Sequence, residues 1–220
     1  MTSTDMIGPD RYFTLRGYLM DRHVDVRFDY AHCQSRQFPD DAETFVFQFA
    51  WAVLTTSRHR TVAWPIMDRM TKPLKSGQSI FPFCDAEEAA QIEAVRIDRK
   101  KRHATARALL QRDAKGDGLV TFLQSLPGLT AITAHRLARN LGAPLAVPDT
   151  ALQQIAAAAG ADPQSLCTQL AAASGDLPPS VGLILSRAVE YGLIRIGSGD
   201  IQFAIPDNPD RADPAGKKAG

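Results

Sequence analysis

Phe122-Leu123-Gln124-Ser125-Leu126-Pro127-Gly128-Leu129-Thr130-Ala131-Ile132-Thr133-Ala134 is the stretch whose reading decides the fold of this chain. Apolar residues at helical spacing flank a Leu-Pro-Gly break, which predicts two helices joined by a tight turn. Gly128 can take a left-handed φ there and leaves its backbone uncovered. The second helix starts directly afterwards, so unpaired amides at its N-terminus form a ready anion site. A phosphate of a DNA backbone fits such a site without sequence selectivity. The same turn equally serves as an ordinary connection between two packed helices.

Working outward, the chain reads as a series of short helices. Downstream, the helix Thr130–Leu141 is closed by Gly142, Asp149 or Thr150 caps a helix Ala151–Ala159, and Asp162-Pro163 open another to about Ser174. Pro178, Pro179 and Ser180 introduce a last helix, Val181–Tyr191. Upstream, the spacing predicts one long helix over 86–112 and a loop over 71–85. A helix over Val62–Met70 tolerates Pro65 if that proline lies in the first turn. Asp40 and Asp41 precede a segment apolar almost all round, with Phe45, Phe49, Ala52 and Val53, as in a central buried helix. Phe13, Leu15, Tyr18 and Leu19 fit one side of a short helix, whereas His23–Tyr30 alternates apolar and polar residues with the period of a strand. The expected class is all-α. The expected organisation is an N-terminal extension over 1–40 packing on the core, a helical domain over 41–196, and a flexible tail over 197–220, disordered from 207.

Composition bounds the reading without deciding it. The chain has 220 residues, 45% apolar and 22% charged, with a formal net charge of +1. Nucleic-acid binding must therefore come from where the charge sits, not from its total. One basic run holds Arg96, Arg99, Lys100, Lys101, Arg102, His103 and Arg107, with Arg112 and Lys115 beyond; a second face is His135, Arg136 and Arg139. Either serves as a phosphate-neutralising face or as a solvated helix surface. Cys33, Cys84 and Cys167 are far apart and odd in number, so they announce neither a disulfide framework, nor a metal site, nor an iron–sulfur cluster. Neither a signal peptide nor a membrane span is expected. No metal or cofactor is expected either.

The wider pattern Leu126-Pro127-Gly128, Thr133-Ala134, Leu137, Asn140, Gly142 and Val147-Pro148-Asp149 resembles the helix-hairpin-helix DNA glycosylase superfamily. That superfamily includes endonuclease III and the adenine and oxidised-guanine glycosylases. The resemblance is most specific over 119–160 and looser over 42–112 and 160–191. It implies a two-lobed helical fold with a central hairpin, and an essential aspartate at Asp149. In bifunctional members a lysine on the hairpin's second helix forms a Schiff base. Ile132 stands in that position here and cannot. Leu137-Ala138-Arg139-Asn140-Leu141-Gly142 and Val147-Pro148-Asp149 look like a bacterial branch without that lysine. Thr130 replaces the hairpin's usual second glycine, and its hydroxyl is suited to capping the helix or meeting a phosphate.

The resemblance therefore implies a monofunctional, cytosolic, monomeric enzyme that hydrolyses the N-glycosidic bond of a damaged or modified base in double-stranded DNA, without cofactor. Asp149 would be catalytic, although a carboxylate there also serves as a plain helix cap. Gly128, Thr130, Ala131, Thr133, Lys100, Lys101 and Arg136 would meet the DNA backbone. A flipped base would enter a pocket walled by Trp51, Ser57, His59, Trp64 and Tyr191, with Arg58 and Arg187 near. A glycosylase-like module that binds DNA or a modified base without cleaving is the alternative. A helical protein-interaction module is a third.

Overall fold

The computed structural model describes residues 7–113, 115–197 and 200–205. Among them the chain is mostly helical, with eleven α-helices and one two-stranded sheet.

The central helix is α3 (Ala42–Ser57). Asp41 starts it by accepting the Thr44 amide at 2.6 Å. Its apolar face is wide enough to bury Phe45, Val46, Phe49, Ala50, Val53 and Leu54 against four other helices. These are α4 (Arg60–Ser76), α5 (Ala86–Ile97), α6 (Arg99–Arg112) and α8 (Ala131–Asn140); α7 (Asp117–Gln124) packs on α6 and α8. Their buried side chains form one hydrophobic cluster, from Phe45 to Leu145. A second cluster, from Ile7 to Ile201, joins the two ends of the chain. It is built by α1 (Pro9–Arg22), α2 (Val24–Ser35), α9 (Thr150–Ala158), α10 (Pro163–Ser174) and α11 (Pro178–Glu190). The antiparallel pair β1 (Ile194–Gly197) and β2 (Asp200–Phe203) lies against it through Ile194 and Ile201.

Several expectations need correction. His23–Tyr30 is not a strand; it begins α2. No neighbouring strand offers hydrogen bonds there, and α2 instead packs on α1 and α11 with Val26 and Cys33 buried. The alternation is incidental, since Val24 and Phe28 point to solvent. The tail does not begin at Gly197, because β2 folds back on β1. The disorder expected over 207–220 lies outside the described residues. Pro65 sits in the second turn of α4 rather than the first, and α4 runs on through Pro73 to Ser76, shortening the expected loop. The helix expected over 86–112 is broken at Asp98. A straight helix of that length would reach about 40 Å, against about 24 Å for α3. The break keeps both halves packed on α3.

The chain crosses between the clusters twice, at 36–41 and at 141–149, and the two crossings touch. Gly142 has a φ of 91°, and a Cβ there would lie 3.2 Å from the Phe38 amide nitrogen and 3.3 Å from the Gln37 carbonyl carbon. Gln164 of α10 ties down the second crossing: its Oε1 accepts the Ala146 amide at 2.9 Å and its Nε2 donates to the Pro144 carbonyl at 3.2 Å. Within the second cluster, Asp176 is a charged node only 5% exposed. It accepts from Tyr12 and Tyr30 hydroxyls, each at 2.5 Å, and from Arg16 at 2.8 Å, joining α1, α2 and the α10–α11 connection. Burial alone would raise its carboxyl, but the tyrosine hydrogen bonds and Arg16 bring it below the ordinary carboxylate value.

Two stability predictions follow from these contacts. Gly142→Ala combines a left-handed backbone with a crowded neighbour; the strain alone should cost about 1–2 kcal/mol, read as a lower urea midpoint. Asp176→Asn should cost about 2 kcal/mol at pH 7. A depressed folded-state pKa means the carboxylate's contribution is complete above the unfolded value and fades as pH falls. The difference between wild type and Asp176→Asn should therefore narrow below about pH 4 in thermal melts across pH.

Candidate functional site

Between the two clusters lies a cleft of about 710 Å³. Most of its walls come from α2, the C-terminal half of α3, the start of α4, α8 and α11, with Val147 and Asp149 from the second crossing.

Asp149 is the N-cap of α9. Its Oδ1 accepts the Leu152 amide at 2.9 Å and the Ser186 hydroxyl, from α11, at 3.0 Å. Oδ2 makes no hydrogen bond among the described residues. The carboxylate is thus oriented by two donors while one oxygen stays free at the cleft. Gly182, one turn before Ser186, allows this close approach: a Cβ there would lie 3.0 Å from that of Ala146.

Of the residues expected in a base pocket, Trp51, His59, Trp64 and Tyr191 line the cleft, as do Thr133 and Arg136. Trp51 and Trp64 meet edge to face with centroids 5.8 Å apart, and Trp64 is 60% exposed, leaving an aromatic surface open. Tyr191 is more committed: it stacks on His23 at 3.8 Å and donates to Asp25 at 3.1 Å. His59 caps α4, accepting the Thr61 amide. Ser57 does not line the cleft; its hydroxyl donates to Glu88.

The hairpin is formed as its sequence predicts, with Gly128 at a φ of 81°. A Cβ there would overlap the Gln91 side chain at 2.2 Å. The helix N-terminus is partly closed, however. Thr130 and Thr133 cap reciprocally, the Thr130 amide donating to Thr133 Oγ1 at 2.8 Å and the Thr133 amide to Thr130 Oγ1 at 3.2 Å. The amides of Ala131 and Ile132 make no hydrogen bond among the described residues. Lys100 and Lys101 lie elsewhere. Arg99 beside them pairs with Glu43 at the start of α3, whereas the Gly128 carbonyl faces Thr56 at its end. Those points on α3 are about 20 Å apart along the helix. Much of the basic run is also spent internally: Arg96 pairs with Glu93, Arg102 with Asp98 and Arg107 with Asp40.

Charge in the cleft is divided. Arg187 pairs with Asp29 at 2.9 Å and with Glu190 at 2.5 Å, and Arg60 reaches Asp29 at 3.2 Å. Arg58 is held between Glu88 and Asp85. Arg36, Arg136 and Arg139 line another part of the cleft. Burial and the neighbouring Arg139 draw the Arg36 guanidinium down to about 10. Arg136 is open to water but hemmed in by protein, and this desolvation, with Arg139 beside it, lowers it too. His32 is lowered by desolvation and by Arg36 and Arg139.

Sequence reasoning missed the α2 wall entirely. Asp25, Asp29, His32 and Arg36 fall at i, i+4, i+7 and i+11, one helical face. That signal was present, but the overlapping two-residue alternation obscured it. Among the described residues no group of three or more His, Cys, Asp or Glu is placed to hold a metal ion, and no helix is long and apolar enough to cross a membrane. A second cavity, about 620 Å³, lies by Phe47 and Leu74, where Arg96 and Arg99 are already paired. Comparisons with models of protein families, with curated proteins and with solved structures find no match for this chain.

Asp149 thus has a structural role separable from any chemical one. Asp149→Ala should lose about 1 kcal/mol of stability with the cap, whereas Asn caps equally well and Asp149→Asn should melt close to wild type. Chemical denaturation of both variants checks this.

Proposed function

We propose that the chain is a monofunctional DNA glycosylase of the helix-hairpin-helix kind, acting on a damaged or modified base in double-stranded DNA from the cleft between two helical lobes. The observation that carries this reading is Asp149: a cleft-facing carboxylate, oriented by the Leu152 amide and Ser186, with an unengaged oxygen and an open tryptophan face in the same cleft. The hairpin resemblance leads independently to the same residue.

In the reaction the C1′–N bond breaks and its electron pair leaves with the base. Positive charge develops on the sugar, and a water adds to C1′. The Asp149 carboxylate would stabilise that charge and take up the proton of the incoming water. The extruded base would stack against Trp64. The amides of Ala131 and Ile132 would meet a backbone phosphate at the hairpin. With Ile132 in place of a lysine, an abasic site is the end product and no strand is cut.

A second reading, a glycosylase-like module that binds DNA without cleaving it, is favoured by the charge around Asp149. Arg136 stands near the carboxylate and Arg187 follows Ser186, which binds it; cations there oppose a developing oxocarbenium ion.

The test is alkali- or heat-revealed strand scission on duplexes carrying a panel of damaged and modified bases. Wild type should leave abasic sites on one or more of them, and Asp149→Asn should be slower by at least about 100-fold while binding the same DNA. Tight, salt-sensitive binding with no abasic product from any duplex would replace the enzyme with the binding module.

A further inference from the structure

Among the described residues, the cleft holds more arginines than its own carboxylates compensate. Arg58, Arg60 and Arg187 each face a carboxylate. Arg36, Arg136 and Arg139 have no ion pair among the described residues. Arg139 touches only the side-chain oxygen of its neighbour Asn140, at 3.3 Å from Nη2. Arg36 Nε is buried with no hydrogen-bond partner among the described residues. Of the carboxylates that line the same cleft, Asp25 is engaged by Tyr191 and Arg60, Asp29 by Arg187 and Arg60, and Glu190 by Arg187, while Asp149 stands near Arg136 without an ion pair among the described residues.

Arg36 ends α2 and Arg139 lies in the last turn of α8, so helix dipoles offset part of their charge, on the order of half a charge per helix. Asp149 near Arg136 offsets a further charge, and positive charge still remains in excess around Arg36 and Arg139. Holding like charges together beside an unsatisfied donor is unfavourable unless an anion completes the set. Desolvation first, and the neighbouring Arg139 second, lower the guanidinium values of Arg36 and Arg136. Guanidinium forks match phosphate oxygens in pairs, and a volume of about 710 Å³ is in the range of small-ligand sites.

We infer that Arg36, Arg136 and Arg139 form a phosphate-binding site in the wall of the cleft, so that what is held there is a nucleotide with its phosphate rather than a free base or nucleoside. The inference rests on the proposed reading of the cleft as the place that receives a nucleotide. The phosphate is either the DNA backbone phosphate beside an extruded nucleotide or that of a free nucleoside 5′-monophosphate.

The experiment uses the full chain as wild type, Arg36→Gln, Arg139→Gln and, as a charge-loss control outside the cleft, Lys72→Gln. One arm measures anisotropy of a labelled duplex over a salt series. Each arginine variant should bind more weakly and flatten the slope of log K against log salt by about 0.9, with the control unchanged. The other arm measures thermal shift with a nucleoside 5′-monophosphate, the matching nucleoside and inorganic phosphate. A shift by the nucleotide but not the nucleoside, lost in Arg139→Gln, assigns a free nucleotide; an effect in the duplex arm alone assigns the DNA backbone. Arg139→Gln carries the test where Arg36→Gln, the more buried change, lowers stability. Folded arginine variants that match wild type in both arms overturn the phosphate site, even if base excision is observed. Arginine-dependent binding without excision keeps the site and removes the glycosylase.

Discussion

The close approach of Gly142 to the backbone of Gln37 and Phe38 is the contact on which the molecule's arrangement depends. One hydrophobic cluster is made from the middle of the chain and the other from its two ends, so the chain must pass between them twice. At Gly142 the two passages lie against each other with no side chain between them. A left-handed φ also turns the chain sharply out of α8 and into the segment that delivers Asp149. Any larger residue there would separate the passages and move α2 relative to α8. Those two helices hold Arg36 and Arg139, so the geometry of the cleft follows from a missing Cβ.

Away from the crossing, the second cluster is held by a polar node as well as by packing. Asp176 gathers Tyr12, Arg16 and Tyr30 from the first two helices onto the α10–α11 connection. With Gln34 as a fourth donor, this buried carboxylate depends on its partners, because an unpaired charge in that position is costly. The node fixes where α2 sits on α11, and α2 supplies the cleft wall with its row of Asp25, Asp29, His32 and Arg36. Order at this node, outside the cleft itself, thereby sets the spacing of the charges within it.

Charge in the cleft is unevenly neutralised, and its paired and unpaired arginines are near enough to act on one another. In the neutralised part, Asp29 and Glu190 both bind Arg187. The uncompensated part, with Arg36, Arg136 and Arg139, is suited to an anionic ligand. Asp149 has Arg136 near it, and Arg187 follows Ser186, which donates to it. A bound phosphate would offset the first of these and leave the carboxylate free to act on a developing cation. The cationic wall and the carboxylate are therefore compatible in one site once a nucleotide occupies it.

Much of this was legible before any coordinates. The Leu-Pro-Gly hairpin, the caps at Asp41, Asp149 and Asp162 and the apolar girth of α3 are local signals, written within a few residues of where they act. They determined the helical class and, to within a few residues, the helices downstream of residue 116, whereas Asp149 was singled out by the resemblance to the glycosylase superfamily. The tertiary structure alone decided that Ser57 and the Lys100–Lys101 pair stand apart from the cleft, that Thr130 and Thr133 close part of the hairpin's N-terminus, and that His23–Tyr30 is helical. It also decided which arginines are neutralised. Pairs such as Arg187 with Asp29 or Arg99 with Glu43 join residues far apart in the chain, and no local pattern encodes that distance. The periodicity of one segment states which faces are apolar; only packing against the others states what those faces meet.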